Sequence, residues 1–475
     1  MLHNKDINKI AELKNGFTPM WFEPDFILSS LKCFSFSSLI KSLGTIKVKG
    51  YGFHAVLAVL MSLPFLGPKT VNGLLNSPFK GFIEGKKDVF YRLKNMPSID
   101  WRDILWLFAL KYCKAVKENG GAAMGTTCLI FDDSFLAKTG RYIEKVSRVW
   151  DHVSHRFLLG YKLLALTYWD GTGCIPVDFS LHREKGKNKE KPYGLKKKEY
   201  KKQFKKVREK QSPGHKRARE ADGGKIDIAV EMVKRALSKG LQVDYLLMDS
   251  WFTCWKFIEL VSKNKKGKVH LLGMYKIAKT KFDFKGDRYT HSQIRNLQGK
   301  AVRCRKLGLY YKQADVVLNG APVKLFFSKQ GKNGKWKVFL TTDTSLSFIK
   351  MIEIYQIRWT IEVFFKEAKQ LLQLGKCQSN DFDAQIAETT ITMVQHLMLT
   401  MKYRFDHYES KGVLFQEIKE KLVQHRLNER LWALFVELLQ LIEELFEGID
   451  INDMIANVLN NERAYVKINK LLNPD

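Results

Sequence analysis

Four residues whose side chains can act on phosphodiesters follow Ser347 at fixed spacing. Tyr355, Arg358, Glu362 and Lys369 form the pattern Y-x2-R-x3-E-x6-K. At about 100° per residue they lie within roughly 60° of the surface of one helix, while the apolar residues of this stretch gather on another side. The carboxylate can bind a metal ion, and the three other groups can hold phosphate oxygens. The plainer alternative is a solvated helix face with an i, i+4 ion pair.

Two short apolar runs each end in aspartate. TTCLIFDD ends in Asp132 and Asp133, and VDYLLMDS contains Asp249. Both runs predict buried strands, and strand alternation allows only one of the first two aspartates to face a site shared with Asp249. Asp249 can cap the following helix or bind a metal. Three carboxylates at one spot repel each other unless cations lie between them, and their oxygens suit Mg²⁺ or Mn²⁺.

The Y-x2-R-x3-E-x6-K string resembles the signature of the insertion-sequence-four family of DDE transposases, a cut-and-paste group that includes Tn-five-like enzymes. LIFDDSFLAKTG is similar to the strand that carries this family's first aspartate, and LLMDSWFTCWKFI to the strand that carries the second. The resemblance covers roughly residues 126 to 399. It implies that Asp133, which precedes the hydroxyl residue Ser134, acts with Asp249 and Glu362 in catalysis and holds two Mg²⁺ or Mn²⁺ ions. It also implies that DNA is contacted by Tyr355, Arg358 and Lys369.

The elements that must position these residues change in type along the chain. Helical spacing predicts a helical region over 1–121, which the resemblance makes a DNA-end-binding region. Strand, helix and strand over 122–268 predict an α/β layer, and short strands between Gly and Asn turns over 269–345 predict a β-rich insertion. Helices return over 346–404, which holds the Glu362 helix, and over 405–475. The expected fold class is α/β, and the resemblance implies a ribonuclease-H-like core flanked by helical regions.

Two local features refine this layout. GYKLLALTYWDGTGCIPVDFSL predicts a hairpin that turns at Asp170–Gly173. In the β-rich insertion, the resemblance implies a tryptophan that stacks on a flipped base. Trp336 lies near the corresponding strand and is the candidate, with a plain core or surface tryptophan as the alternative.

The charge balance indicates a polyanionic partner. The formal net charge is +31 over 475 residues, and residues 185–219 contain 16 Lys or Arg against three Glu. Such a surplus is typical of proteins that bind nucleic acid, although anionic lipid or simple solubility are alternatives. The Lys-rich segment is too polar to bury much and predicts a solvated loop or helix. We expect its residues Lys196, Lys197 and Lys198 to contact phosphates.

Other sequence features limit location and assembly. The seven cysteines are scattered without a CxxC pair, which indicates reduced thiols rather than a zinc site. MLHNKDINKI does not have the layout of a signal peptide, and the apolar stretches fall short of a membrane span. We therefore expect a cytoplasmic bacterial protein that joins the nucleoid when bound to DNA. An apolar stripe from Leu431 to Leu445 in the C-terminal region is a candidate dimerisation surface.

The resulting expectation is a DNA transposase that moves an insertion sequence by two-metal strand cleavage and strand transfer at terminal inverted repeats. Its partners would be the double-stranded DNA of the element ends and the target, with a homodimer in the synaptic complex. Two alternatives stay open: a ribonuclease-H-like nuclease that cuts without joining, and a transposase-derived DNA-binding protein without catalysis.

Overall fold

The chain folds as mixed α/β structure in two compact units. The computed structural model describes residues 47–66, 70–77, 85–118, 125–152, 154–263, 269–276, 279–405 and 408–420, with short stretches between 450 and 467. The larger unit comprises residues 43–56 and 84–411, and the smaller one includes 57–83 and 412–475. Every residue expected at the site lies in the larger unit.

The strands form where the sequence has short apolar runs or alternates between apolar and polar residues. A two-residue hairpin pairs β1 (Lys47–Val48) with β2 (Tyr51–Gly52). Within the described residues, twelve further strands form one sheet: β3 (Cys128–Ala137), β4 (Ser147–Asp151), β5 (Arg156–Trp169), β6 (Cys174–His182), β7 (Tyr245–Met248), β8 (His270–Met274), β9 (Lys281–Phe284), β10 (Asp287–Thr290), β11 (Val302–Cys304), β12 (Leu309–Leu318), β13 (Ala321–Gln330) and β14 (Lys337–Thr341). Their order is β10-β9-β12-β13-β14-β8-β7-β3-β5-β4, with β6 beside β5 and β11 beside β12.

The centre of the sheet is mixed in direction. β3, β5 and β6 are antiparallel neighbours, whereas β7 and β8 run parallel to β3. All four residues of β7 and the first four of β3 are buried, because these strands are covered on both faces. The continuous apolar runs in the sequence are typical of such strands.

The predicted hairpin is confirmed. β5 and β6 pair antiparallel, with Trp169 opposite Cys174 at the turn. The Asp170 carboxylate accepts hydrogen bonds from the backbone N–H groups of Thr172 and Gly173 at 3.0 and 2.7 Å, which closes the turn. Gly171 adopts a φ of 98°, a backbone conformation that residues other than glycine rarely take.

The strands after β8 extend the same sheet. β14 pairs with β8, and β13, β12 and β9 follow outward in antiparallel order. The β-rich stretch predicted after residue 269 therefore continues the central sheet through β8 and β14.

The described residues also form twelve helices. They are α1 (Phe53–Ser62), α2 (Val71–Leu75), α3 (Lys87–Lys94), α4 (Trp101–Glu118), α5 (Lys197–Lys201), α6 (Pro213–Glu220), α7 (Lys225–Ser238), α8 (Trp255–Lys263), α9 (His291–Leu297), α10 (Phe348–Gln356), α11 (Thr360–Gln370) and α12 (Phe382–Phe405). α4 and α12 pack against each other and against β6. α12 is buried over most of its length, which makes it a central helix of the larger unit.

The Lys-rich segment 185–219, expected as a solvated loop or helix, is exposed over much of its length and contains helical turns, but parts of it are buried. It contains α5 and most of α6, and it is anchored to the core by buried charges. The side chain of Arg208, only 3% exposed, lies 2.7 Å from Glu144 and 3.0 Å from Asp383. Lys206 lies 2.8 Å from Asp381. Part of the positive charge of the segment is therefore neutralised by core carboxylates and is not free to meet DNA.

Some expectations fall outside the described residues. The first 46 residues of the expected end-binding region and the apolar stripe Leu431–Leu445 are among them. Across the part of the chain that the structure describes, no helix is both long and apolar enough to span a membrane. The six cysteines in that part are free thiols.

Candidate active site

Two aspartates reach the same face of the sheet from neighbouring parallel strands. Ile130 of β3 pairs with Leu247 of β7; Asp132, within β3, and Asp249, directly after β7, each lie two residues further along the chain. Because side chains alternate between faces, equal steps from a paired position return to the same face. Asp249 directly follows β7, so its carboxylate stands at the carboxyl end of that strand.

Asp133 lies on the opposite face of β3. Phe131 shares the face of Asp133, and its ring lies 5.9 Å from the ring of Phe252, which precedes α8. The Asp133 carboxylate accepts a hydrogen bond from Lys225 at 2.8 Å and lies 3.2 Å from the Lys162 ammonium. Two cations thus neutralise this carboxylate on the face of β3 opposite Asp132. The geometry favours Asp132, where the resemblance had indicated Asp133.

The predicted helix after Ser347 forms with one departure from regular geometry. The Ser347 hydroxyl caps α10 by accepting from the Lys350 N–H at 3.3 Å. A 3₁₀ turn over Ile357–Trp359 then joins α10 to α11. The buried residues of α11 are those that the apolar pattern had placed on its packed face, namely Ile361, Phe364, Phe365 and Ala368.

Arg358, in the 3₁₀ turn, joins the Glu362 helix to β3. One guanidinium nitrogen lies 3.1 Å from an Asp132 oxygen, and another donates to Glu362 at 2.6 Å. The guanidinium carbon lies 5.9 Å from the centre of the Tyr355 ring, which packs edge-on against Phe339 at 5.0 Å. Burial raises the pKa of Tyr355 to about 12, so its phenol stays protonated and can donate. The i, i+4 ion pair between Arg358 and Glu362 is present, and Arg358 also pairs with Asp132 of the sheet.

Lys369, in the last turn of α11, also contacts β3. Its ammonium donates to the Ser134 hydroxyl at 2.7 Å, and Ser134 shares the face of Asp132, two residues before it. Burial lowers the pKa of Lys369. Arg358, Glu362 and Lys369 therefore all project toward the face of β3 that carries Asp132.

The carboxylates are close enough to affect each other. Burial raises the pKa of Asp132 to about 7, and the negative charges of Asp249 and Asp133 add to the effect, against the opposing charge of Arg358. Ionised carboxylates this close repel each other, and a cation between them would relieve the repulsion. Hard carboxylate oxygens on Asp132, Asp249 and Glu362 are the donor type that Mg²⁺ or Mn²⁺ prefers.

The arrangement is not a closed metal cage. Among the described residues, no group of three or more His, Cys, Asp or Glu side chains is arranged to hold a metal ion. The guanidinium of Arg358 lies between Asp132 and Glu362 instead. The donor set fits a divalent metal in its chemistry, and a three-carboxylate site would require Glu362 to exchange its contact with Arg358 for the metal.

Asp249 has a structural contact as well. One of its oxygens accepts hydrogen bonds from the backbone N–H groups of Trp251 and Phe252, at 2.9 and 3.1 Å. These bonds fix the turn after β7 and orient the carboxylate. α8 begins only at Trp255, so Asp249 caps this turn and not the helix. Only one carboxylate oxygen is used in this way.

The other residues predicted to contact DNA are Trp336 and the three lysines Lys196, Lys197 and Lys198, whose neighbours lie outside the carboxylate cluster. The Trp336 ring, just before β14, lies 4.9 Å from the Lys329 ammonium and 5.6 Å from the Arg295 guanidinium. Lys196, Lys197 and Lys198 are exposed at the start of α5, where Lys197 pairs with Glu190 at 2.5 Å. None of these contacts of Trp336 and the lysines involves Asp132, Asp249 or Glu362.

Sequence reasoning missed three residues beside the site: Lys162, Lys225 and Trp251. Lys162 is only 4% exposed in the middle of the long apolar strand β5. A single lysine inside such a run is a signal, because a buried ammonium needs a carboxylate partner. Lys225 and Trp251 offered no comparable pattern.

Carboxylates that lie near one another beside arginine and lysine side chains are typical of enzymes that act on phosphodiesters with divalent metals. Residues 171–394 match the family model described as Transposase DDE domain, and residues 66–265 match the one described as DDE superfamily endonuclease. The first range contains Asp249 and Glu362, and the second contains Asp132. A comparison with curated proteins finds no match. The two family matches support a DDE transposase and imply DNA binding.

Proposed function

We propose that the chain is a cut-and-paste DNA transposase of the insertion-sequence-four type, with Asp132, Asp249 and Glu362 as its catalytic carboxylates. The observation that carries this proposal is the matched position of Asp132 and Asp249 on parallel strands, with Glu362 connected to Asp132 through Arg358. Asp133 is replaced in this role because it is bound to Lys162 and Lys225 on the other face.

The order of the central strands supports the same proposal. β6, β5 and β3 form an antiparallel run, and β7 and β8 continue from β3 in parallel. We infer that these five strands are a ribonuclease-H-like core, extended by the strands from β9 to β14. Asp132, in the middle of the first of these strands, would then lie beside Asp249, which directly follows the fourth.

Each side chain then has a defined task. Two Mg²⁺ or Mn²⁺ ions, when bound, would activate water or a 3′-hydroxyl and stabilise the leaving oxygen. Asp132, Asp249 and Glu362 would hold them. Arg358 and Lys369 would bind non-bridging oxygens of the phosphate, and the protonated phenol of Tyr355 would donate a further hydrogen bond. The same residues can serve cleavage and joining in turn, because both reactions displace an oxygen at phosphorus.

The proposal extends to partners. Terminal inverted repeats of the element would be the specific DNA, with a hairpin intermediate at the excised ends. Joining two ends requires a synaptic complex, for which we propose a homodimer that forms on DNA. We expect the protein in the bacterial cytoplasm, on the nucleoid when bound.

Incubation of the purified protein with the end DNA of its own element and Mg²⁺ tests the proposal, with strand products resolved on a denaturing gel. Nicks at the element boundary followed by joined products support transposition. Cleavage without joining supports the nuclease alternative. Binding without any cleavage, in Mg²⁺ and in Mn²⁺, supports the non-catalytic DNA-binding alternative and would overturn the proposal.

A further inference from the structure

Three arginines and two carboxylates meet beside β6, away from the carboxylates of the proposed active site. This arginine cluster consists of Arg102, Arg217, Arg235, Asp178 and Glu220. The Arg102 guanidinium donates to Asp178 at 2.9 Å and to the two oxygens of Glu220 at 2.9 and 2.8 Å. Arg235, from α7, donates to the second oxygen of Asp178 at 2.9 Å. Both oxygens of each carboxylate are therefore engaged.

Arg217, from α6, is held in the cluster by only one of its nitrogens. Nη1 donates to the Phe179 carbonyl at 2.6 Å and to Glu220 at 3.2 Å. The residue is only 5% exposed, yet no described residue supplies an acceptor to its buried Nε and Nη2. These two nitrogens form the edge of a guanidinium whose parallel N–H groups bind two oxygens of one anion. Nη2 of Arg235 is likewise buried, without an acceptor among the described residues.

The charges of the arginine cluster do not balance, because three guanidinium groups face two carboxylates. Although burial opposes it, the charges of Arg102 and Arg235 hold the pKa of Asp178 below its usual value, so this group is ionised. Burial, followed by the charge of Arg102, lowers the pKa of Arg217 to about 10, which leaves it protonated at pH 7. One positive charge is therefore in excess on buried side chains, and such a charge is costly without a counter-ion.

We propose that the arginine cluster binds one small inorganic oxyanion, phosphate or sulfate, side-on at Nε and Nη2 of Arg217. An oxyanion supplies both the acceptors and the negative charge, whereas water supplies acceptors only and would leave the excess charge in place. The backbone phosphate of DNA cannot reach these nitrogens, since both are buried. The ligand is therefore a free ion, and the site does not depend on the proposed function.

The ion would connect three helices. Arg102 lies on α4, Arg217 on α6 and Arg235 on α7. Arg217 also belongs to the Lys-rich segment 185–219, so the ion would fix the end of this segment to the core. Because the unfolded chain does not bring these arginines together, the ion binds the folded chain alone and stabilises it.

Thermal unfolding of the full-length protein tests the site. Sodium phosphate at pH 7 is titrated against sodium chloride at constant ionic strength, without DNA or divalent metal. We expect phosphate to raise the unfolding midpoint by about 3 °C over chloride at saturation. Arg217→Met keeps the length of the side chain but removes the charge and both N–H groups, and it should lose most of this rise. Arg217→Lys, which keeps the charge without the pair of parallel N–H groups, should also lose most of it.

Arg141→Met is the matched control. Arg141 is an exposed arginine that pairs with Glu199, so the control removes the same charge from a place outside the cluster. Phosphate also stabilises folded proteins in general, and both Met variants share that effect. The difference between Arg141→Met and Arg217→Met therefore measures the site. An equal phosphate response in the two variants would overturn it.

A second measurement needs no variant. Crystals of the unaltered protein grown in chloride are soaked in selenate, an analogue of sulfate, and the anomalous scattering of selenium locates the ion. We expect a peak within hydrogen-bonding distance of Nε and Nη2 of Arg217. Selenate peaks only at other positions, or ordered water at this one, would contradict the inference. Neither measurement involves DNA cleavage, so the outcome is separate from the success or failure of the proposed transposase activity.

Discussion

Asp132 of β3 and Asp249, which directly follows the parallel strand β7, each lie two residues beyond the paired residues Ile130 and Leu247. This relationship separates the two neighbouring aspartates of β3 more clearly than their sequence does. Asp132 shares a face with Asp249, whereas Asp133 is engaged with two lysines on the other face. The first prediction follows from this difference.

Asp132→Ala, Asp249→Ala and Glu362→Ala should each lower the rate of strand cleavage by at least about a hundredfold, because each removes a proposed metal ligand. DNA-end binding should stay nearly unchanged, since the cations remain. Cleavage on a denaturing gel and binding by mobility shift measure the two effects. Asp133→Asn is the comparison variant and should retain more activity than Asp132→Asn. The reverse order would return the catalytic role to Asp133.

The sequence predicted the elements of the site better than their arrangement. Buried apolar runs predicted β3 and β7, and helical spacing predicted the helix with Glu362, because both signals are local. The choice between Asp132 and Asp133 depends on which face of β3 meets β7 and α11, a long-range property that no local pattern contains. The ion pairs of Arg208 with Glu144 and Asp383 could not be predicted for the same reason, because the partners are distant in sequence.

Arg358 provides the second prediction. Its guanidinium neutralises Asp132 and Glu362, so it competes with any divalent cation for these oxygens. Arg358→Ala should tighten Mn²⁺ binding to the DNA-free protein by about tenfold, equivalent to about 1.4 kcal/mol, and should weaken cleavage. Electron paramagnetic resonance of free Mn²⁺ measures the affinity. Arg358→Lys, which keeps a positive charge, should tighten Mn²⁺ binding less. Unchanged Mn²⁺ affinity in Arg358→Ala would show that the guanidinium does not compete.

The third prediction concerns salt. Deleting the whole Lys-rich segment would remove the buried Arg208 pairs and disturb the core, so exposed lysines are the better target. Changing Lys196, Lys197 and Lys198 together to Gln should flatten the plot of log affinity against log salt by about one unit for each phosphate that these lysines neutralise. Filter binding from low to moderate salt measures the slope. Lys234→Gln, which alters an exposed lysine paired with Glu231 on α7, is the control. Equal slopes would mean that the three lysines are only solvated.

The fourth prediction concerns acid stability and His396, which is buried in α12. Its ring nitrogen lies 2.8 Å from Glu367, which also contacts the Lys411 ammonium at 2.9 Å. Burial, followed by the charge of Lys411, lowers the pKa of His396 from 6.5 to about 4. The ring is therefore neutral at pH 7, and the positive charge facing Glu367 belongs to Lys411.

The sign of the effect follows from proton binding. Below about pH 6.5 the unfolded chain takes up a proton on His396, whereas the folded chain does so only near pH 4. The stability that His396 confers is therefore complete above pH 6.5 and falls as the pH falls toward 4. Between pH 7 and pH 5 this group alone should lower the free energy of unfolding by about 2 kcal/mol.

Urea denaturation at pH 7 and at pH 5 measures this loss. His396→Gln keeps a polar side chain near Glu367 without a titrating ring, so its midpoint should fall less between the two pH values than that of the unaltered protein. The variant can be less stable at pH 7, and the difference between the two pH values is what decides. His155→Gln removes an exposed histidine as a control and should leave the difference unchanged. If His396→Gln loses as much stability on acidification as the unaltered protein does, another group determines the acid sensitivity.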